Sequence, residues 1–289
     1  MVIAVLGATG QLGSELLSLW GEDAVGLTRD RLDLATVSDF ETVLEAIGAE
    51  VVVNAAAYNL VDQAEREPSG AMVVNALGPR QLARCCASLG VRLVHVSSDF
   101  VFGADTSRRD PYTESDETGP LGAYAVSKLG GELYVRSGCS DHLVVRSCGL
   151  YGHAARRREG GGNFVETMLR LASGEGPVRV VDDQRCTPTS TPVLAAAINA
   201  LLESGCSGLY HATCSGSTTW YEFAREIFER SGLEVEVEAI TTDEFGAEAQ
   251  RPGYSVLDCG RLIRDTGYTP PDWRVALAEY LAAREDDPE

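Results

Sequence analysis

The chain opens on an unbroken apolar run, Val2-Ile3-Ala4-Val5-Leu6, that passes directly into Gly7-Ala8-Thr9-Gly10-Gln11-Leu12-Gly13. A run without polar alternation fits a strand buried on both faces. The glycines fall in G-x-x-G-x-x-G spacing, a departure from G-x-G-x-x-G, and the amphipathic stretch Ser14 to Trp20 follows. Each glycine meets a steric need: Gly7 the tight turn, Gly10 the close approach of a pyrophosphate, Gly13 the packing of helix on strand. The free N–H groups and dipole at the start of the helix favour an anion there. Strand, glycine turn and helix therefore predict the opening βαβ unit of a dinucleotide site, on the turn that holds Gly7, Thr9 and Gly10.

The same alternation continues. Ala24 to Leu27 reads as a second strand, and Thr28 and Arg29 stand just past its end, where an adenosine ribose would lie. An arginine there pairs with a 2′-phosphate, whereas an acidic residue such as Asp30 would hold a free 2′-hydroxyl. Arg29 tilts the expectation to NADPH and leaves NADH open. Asp33-Leu34 follows, then a helix over Thr36 to Ile47. The strand Val51-Val52-Val53 runs into Asn54-Ala55-Ala56-Ala57, whose small side chains would let a cofactor lie against the backbone. A helix over Ala71 to Leu89 carries Asn75. The strand Val91 to Val96 ends at Ser97-Ser98-Asp99, and a polar loop, Gly103 to Gly122, precedes a helix with Tyr124 and Lys128. His142 to Ser147 is the next strand. Repeated βα alternation implies an α/β fold, a doubly wound, Rossmann-type parallel sheet with ligands beyond the carboxyl ends of its strands. Residues 1–150 read as the NAD(P)-binding domain. Residues 151–289 read mainly as a smaller substrate-binding lobe, with some segments returning to the main domain. Helices are expected there over Asn163 to Leu171, Pro192 to Leu202 and Trp220 to Arg230, the last capped by Thr218 or Thr219. Val178 to Gln184 reads as a strand running into a polar turn.

Tyr124-Ala125-Val126-Ser127-Lys128 holds the chemistry. Side chains four apart on a helix share a face, with Cβ atoms about 5–6 Å apart. An ammonium so close to a phenol is expected to lower the phenol's pKa and make it a usable proton donor or acceptor near neutral pH. Lys128 is the only lysine; every other basic residue is arginine. With Ser98 at a strand end, three groups fit carbonyl reduction. Ser98 hydrogen-bonds the oxygen on which charge develops, Tyr124 protonates it, and Lys128 tunes Tyr124 and holds the nicotinamide ribose.

Composition narrows the partners. A net charge of −19 argues against nucleic acid and anionic membrane, so an anionic ligand must be met locally by arginine and backbone N–H groups. The eight cysteines form no C-x-x-C pair and no histidine cluster joins them. No metal site is expected from them, and a reducing cytoplasm is. The first residues lack the basic flank of a signal peptide, and no apolar run is long enough to span a bilayer. A homodimer is compatible with this reading.

The motifs together resemble an extended short-chain dehydrogenase/reductase, and more narrowly the dTDP-4-dehydrorhamnose reductase family. The resemblance rests on Gly7 to Gly13, NAAAYNLVDQAE at 54–65, VNALGP at 74–79, HVSSDFVFG at 95–103 and YAVSK at 124–128. It extends through NFVETMLRLA at 163–172, VVDDQ at 180–184, TWYEFAREIF at 219–228 and RPGYSVLD at 251–258. It implies Ser98, Tyr124 and Lys128 as the catalytic set. It places the cofactor on Gly10 to Leu12, near Thr28 and Arg29, on Asp33-Leu34 and on Ala55 to Ala57. It implies a nucleotide-activated 4-keto-6-deoxy sugar as substrate, touched by Ser98, Asp99 and the lobe containing Arg251. Three positions depart from the family. Ser98 stands for threonine, Phe100 for a tyrosine that contacts the sugar, and Gly149 for a substrate-binding tryptophan. Phe100 also replaces the glutamate of the Thr-Asp-Glu motif in related sugar dehydratases, which favours reduction over dehydration. Gly149 keeps open a reductase of another 4-keto nucleotide sugar, and a non-catalytic NADP-binding subunit, like the regulatory subunit of methionine adenosyltransferase, is the other alternative. Arg156-Arg157-Arg158 could clamp a diphosphate. Glu279 and Glu285 would be the residues for a divalent ion such as Mg2+, although a solvated acidic face is the simpler reading. His95 reads as a satisfied core residue and Cys148 as a small buried hydrophobe.

Overall fold

The computed structural model describes residues 1–36, 39–156, 162–174 and 176–286, with Glu285 and Asp286 described by backbone alone. Six strands form the main sheet: β1 (Ile3–Leu6), β2 (Ala24–Leu27), β3 (Val51–Asn54), β4 (Arg92–Ser98), β5 (His142–Ser147) and β6 (Gly208–His211). They lie in the order β6-β5-β4-β3-β1-β2, with every pairing parallel. The principal helices are α1 (Gln11–Trp20), α2 (Phe40–Ile47), α3 (Gly78–Leu89), α4 (Ala123–Gly138), α5 (Phe164–Leu171), α6 (Thr191–Glu203), α7 (Trp220–Arg230) and α8 (Trp273–Asp286).

The apolar strands are short because each must feed both faces. Ile3 and Val5 pack with Leu12 and Leu16 of α1 and Leu194 and Ile198 of α6. Ala4 and Leu6 pack on the opposite face, with Leu44 of α2, Leu82 of α3 and Val135 of α4. The period of two along each strand thus divides the core into two layers. A third cluster, with Phe223 and Ile227 of α7, Met168 of α5 and Trp273 and Leu277 of α8, is the core of the C-terminal lobe. Segments beyond residue 150 also serve the main sheet: β6 extends it beside β5, and α6 covers one face.

Two helices differ from the sequence expectation. The helix expected from Thr36 starts at Phe40, because the Asp39 side chain accepts the Thr42 N–H and caps it there. The stretch expected as one helix over Ala71 to Leu89 contains a π turn at Val73–Leu77. Buried Asn75 lies in that turn, accepting from Tyr58 N at 2.8 Å and donating to Tyr58 O at 3.0 Å and Ser127 Oγ at 3.0 Å. The wider turn aims one amide at both the loop after β3 and the middle of α4. Thr219, not Thr218, caps α7, in a reciprocal box with Glu222.

Candidate active site at the carboxyl edge of the sheet

Chain order reverses direction across the sheet at β1, whose neighbours are β2 and β3. A crevice is expected beyond the carboxyl ends at such a point. Gly7 adopts φ +78°, and a Cβ there would stand 2.8 Å from the Ala56 nitrogen at the end of β3. A Cβ on Gly13 would fall on the Gly7 carbonyl oxygen. Both glycines are therefore required by backbone contact, and Gly13 packs on the turn itself. Gly10 stands at the N-cap of α1, with no side-chain cap and no acidic residue in the first turn. The first intrahelical bond is Ser14 N to Gly10 O, so the N–H groups of Gln11 and Leu12 precede the ladder and suit an anion.

The remaining predicted cofactor contacts ring this crevice. Thr9 is exposed at the turn, and Arg29 is exposed just past β2. The Thr28 carbonyl accepts from Arg31 and Leu32, which curls the chain at that point. Asp33 Oδ1 accepts from Ala35 N at 2.9 Å, and buried Leu34 lies against Gly78. Ala55, Ala56 and Ala57 are half-buried beyond β3, with Ala56 N held by Asn54 Oδ1 at 3.1 Å. Gln11 differs from expectation in its side chain. Its Oε1 accepts from Gly152 N at 2.8 Å and Asn163 Nδ2 at 3.0 Å, tying the turn to the start of α5. Only its backbone is left to face a phosphate.

Ser98 ends β4, and Tyr124 and Lys128 lie in the first turns of α4. The Ser98 hydroxyl lies close enough to Tyr124 to favour its charged form. The Phe100 ring meets the Tyr124 ring edge-on, centroids 5.7 Å apart at 85°, so Phe100 walls the phenol on one side. The expectation that Lys128 lowers the Tyr124 pKa is not met. Burial pushes Tyr124 up to about 12; the Ser98 hydroxyl opposes this, and an ionised Asp99 would add to it. Lys128 Nζ donates to the Val96 carbonyl at 2.7 Å, and burial brings its pKa down to about 8 against the pull of Glu132. The helix face that carries Lys128 rests on β4, so its ammonium goes to the strand. Tyr124 is therefore a protonated phenol at neutral pH, the form that donates a proton.

Asp99 also departs from expectation. It is 2% exposed, with Oδ1 3.1 Å from Ser98 Oγ and Oδ2 2.6 Å from Ser255 Oγ. Expected as a sugar contact, it is instead enclosed behind the serine, because its short 3-10 turn points it into the protein. Burial raises its pKa, opposed by hydrogen bonds from Ser255, Cys148 and Ser98. Cys148 is buried as expected and lies near Asp99. His95 is buried but only half satisfied: Nδ1 meets Asn54 Nδ2 at 3.1 Å, while Nε2 has no partner among the described residues.

A cleft of about 490 Å³ is lined by Gly103, Arg109, Asp182, Arg185, Arg251 and Tyr254, among others. Arg251 is engaged at rest, with Nη2 2.8 Å from Asp62 Oδ2. Burial alone would raise the Asp62 carboxyl, but bonds from Arg251 and Ala249 N outweigh it and hold it below its usual value. Gly149 has φ +51°, and a Cβ there would lie 3.0 Å from Trp220 Cη2. Sequence reasoning missed Arg109 and Arg185, which line the cleft, and Asp62 and Trp220, which lie against Arg251 and Gly149. They are far apart in the chain, and only the fold makes these contacts. Arg157 and Arg158 lie outside the described residues, as does the Glu285 side chain; Glu279 is exposed on α8. A larger cleft of about 940 Å³ beside β6 contains none of the predicted site residues.

The model of the RmlD substrate binding domain matches residues 1–285. The spore coat polysaccharide biosynthesis protein SpsK of Bacillus subtilis is 40% identical over 288 residues, covering 98% of this chain and 97% of SpsK. The dTDP-4-dehydrorhamnose reductase of Mycobacterium tuberculosis is 40% identical over 289 residues, covering 97% of this chain and 92% of that enzyme. Among solved structures, the dTDP-4-dehydrorhamnose reductase of Bacillus anthracis in complex with NADP superposes with a TM-score of 0.91 at 34% identity, covering 98% of this chain and 100% of that one. With the family's model spanning the fold and relatives aligned along nearly its whole length, this chain belongs to the RmlD family of dTDP-4-dehydrorhamnose reductases.

Proposed function

We propose that the protein reduces the 4-keto group of a nucleotide-activated 6-deoxy sugar, converting dTDP-4-dehydro-L-rhamnose to dTDP-L-rhamnose with NADPH. The observation that carries this reading is a protonated Tyr124 near Ser98, at the sheet edge that also bears the glycine turn. NADPH, when bound, supplies a hydride. Gly7, Gly10 and the N–H groups of Gln11 and Leu12 receive its pyrophosphate, Arg29 stands where its ribose phosphate would lie, and Ala55 to Ala57 leave room for its body. Ser98 positions the carbonyl oxygen and Tyr124 gives it a proton. Lys128, cationic below about pH 8, offsets the charge that then remains on Tyr124. Phe100 shields the phenol, and Arg251 meets the substrate's charged portion in the cleft. Residues 1–150 serve the cofactor and the remainder mainly serves the substrate. The eight cysteines are all free, which supports a cytoplasmic setting; no helix among the described residues is long and apolar enough to cross a membrane. A homodimer would present Val126 and Leu133, both exposed on α4, as apolar contact surface.

Loss of reduced-nicotinamide absorbance, followed with dTDP-, UDP- and GDP-linked keto sugars and with NADPH or NADH, tests the reading. The dTDP-linked 4-keto-6-deoxy sugar with NADPH should be consumed fastest. NADPH binding without consumption of any keto sugar would replace the enzyme with a binding module. Gly149 supports a second reading. A tryptophan there would collide with Trp220 and strain the backbone, so the sugar wall differs from the family pattern. Faster turnover of another 4-keto nucleotide sugar would establish that alternative.

A further inference from the structure

The hydrogen bonds around Ser98 do not balance if Asp99 is ionised. A serine hydroxyl has one proton and two lone pairs. Ser98 Oγ accepts the Phe100 N–H at 3.2 Å and lies 3.1 Å from Asp99 Oδ1. Against a carboxylate, the single Ser98 proton is committed to Asp99, and a lone pair then faces the substrate oxygen. An oxygen acquiring negative charge needs donors around it. Against a carboxylic acid the count closes. Asp99 Oδ1–H and Phe100 N–H fill both lone pairs of Ser98, and the Ser98 proton is directed to the carbonyl oxygen. Ser255 Oγ is 3% exposed and 2.6 Å from Oδ2; with Ser255 donating to Oδ2, the acid's proton sits on Oδ1.

We propose that Asp99 is a positioning residue that works as a neutral carboxylic acid, donating to Ser98 Oγ so that Ser98 donates to the carbonyl oxygen being reduced. This rests on the reductase reading above. Asp99 keeps its proton throughout; the proton transferred to the product is that of Tyr124. The groups facing Asp99 agree with a neutral acid. They are Ser98 from β4, Tyr124 from α4, Cys148 after β5 with Cys186 behind it, and Ser255 from the 251–258 segment. None of these is a cation. Burial raises the carboxyl, and the phenol and the Cys148 thiol are likewise held in their neutral forms.

Asp99→Asn and Asp99→Ala separate the two protonation states. The asparagine amide N–H replaces the acid's O–H toward Ser98, and its oxygen still accepts from Ser255. We expect Asp99→Ala to lower kcat about 10²-fold or more, the cost of a lost donor at a developing oxyanion. Asp99→Asn should lower it far less, with NADPH binding retained by both. Wild-type kcat should fall as pH rises through the Asp99 pKa as well as through that of Lys128 near 8, and Asp99→Asn should keep only the Lys128 fall, a difference that a purely structural role would not produce. Equal losses in the two variants, or pH profiles of the same shape in wild type and Asp99→Asn, would overturn the proposal. Infrared spectra of wild-type protein labelled at aspartate provide a readout without turnover. A carboxylic-acid carbonyl band at neutral pH that is missing in Asp99→Asn is expected, and its absence from wild type would overturn the proposal. Wild type that reduces no keto sugar would instead overturn the reductase reading, and this inference with it.

Discussion

The proposed cofactor crevice and the proposed substrate cleft are built from different parts of the chain. The crevice is made of backbone: a turn whose Gly7 and Gly13 admit no side chain, a helix end with free N–H groups and a small-residue strand end. The cleft is made of side chains from four distant segments, with Arg251 already paired to Asp62 across 189 positions of sequence. Backbone sites are constrained by sterics and tolerate almost no substitution. Side-chain sites are tuned by charge and can change ligand without changing fold, as Gly149 beside Trp220 illustrates.

The buried pair of Arg146 and Glu132 underlies both regions. Its two bonds measure 2.8 and 2.7 Å, both residues are at most 2% exposed, and the guanidinium lies 5.0 Å over the Phe102 ring. Arg146→Met should cost about 3–5 kcal/mol of stability, because it strands the Glu132 carboxylate in the core. Chemical denaturation would measure this, and a much smaller cost would mean that the sheet and α4 are held together by apolar packing alone. Gly13→Ala should act on the crevice only. Forcing a Cβ against the Gly7 carbonyl should cost about 1–3 kcal/mol and weaken NADPH binding, with the cleft left intact. An unchanged NADPH affinity in a titration would show that the turn does not carry the pyrophosphate.

Arg251→Ala should act on the cleft only, raising KM for the nucleotide sugar about tenfold, the scale of one lost charged hydrogen bond, with kcat nearly unchanged. Asp62→Ala should have the smallest effect. Arg251 is released from its partner, so KM should stay level or fall slightly. Steady-state kinetics on both variants would check the pair; a rise in KM for Asp62→Ala as large as that for Arg251→Ala would mean that the pair acts as a structural unit.

The same contrast explains what the sequence disclosed. The strand runs at 3–6 and 51–54, the glycine turn and the helix bearing Tyr124 were legible because each is fixed by local periodicity and sterics. The π turn holding Asn75 was not, since its residues fit a regular helix and only the loop at Tyr58 and the Ser127 hydroxyl reward the wider turn. The spacing of Tyr124 and Lys128 was read correctly, but not their relation. Four residues along a helix put the two on one face, yet β4 offered the Val96 carbonyl to the ammonium, and burial set the phenol's pKa. Asp99 was expected as a sugar contact because the family resemblance implied it; its contact with Ser255, 156 positions away, is not legible from the sequence. Strand β6 was foreshadowed only as a segment returning to the main domain, because its four residues carry no signal of which sheet they join.

The central claim is that Tyr124 is the proton donor beside the cofactor crevice. Tyr124→Phe keeps the ring against Phe100 and removes only the hydroxyl. It should bind NADPH as wild type does, by fluorescence titration, and lose about 10²–10⁴-fold in kcat with the dTDP-linked keto sugar. Turnover close to wild type in that variant, with NADPH still bound, would contradict the account.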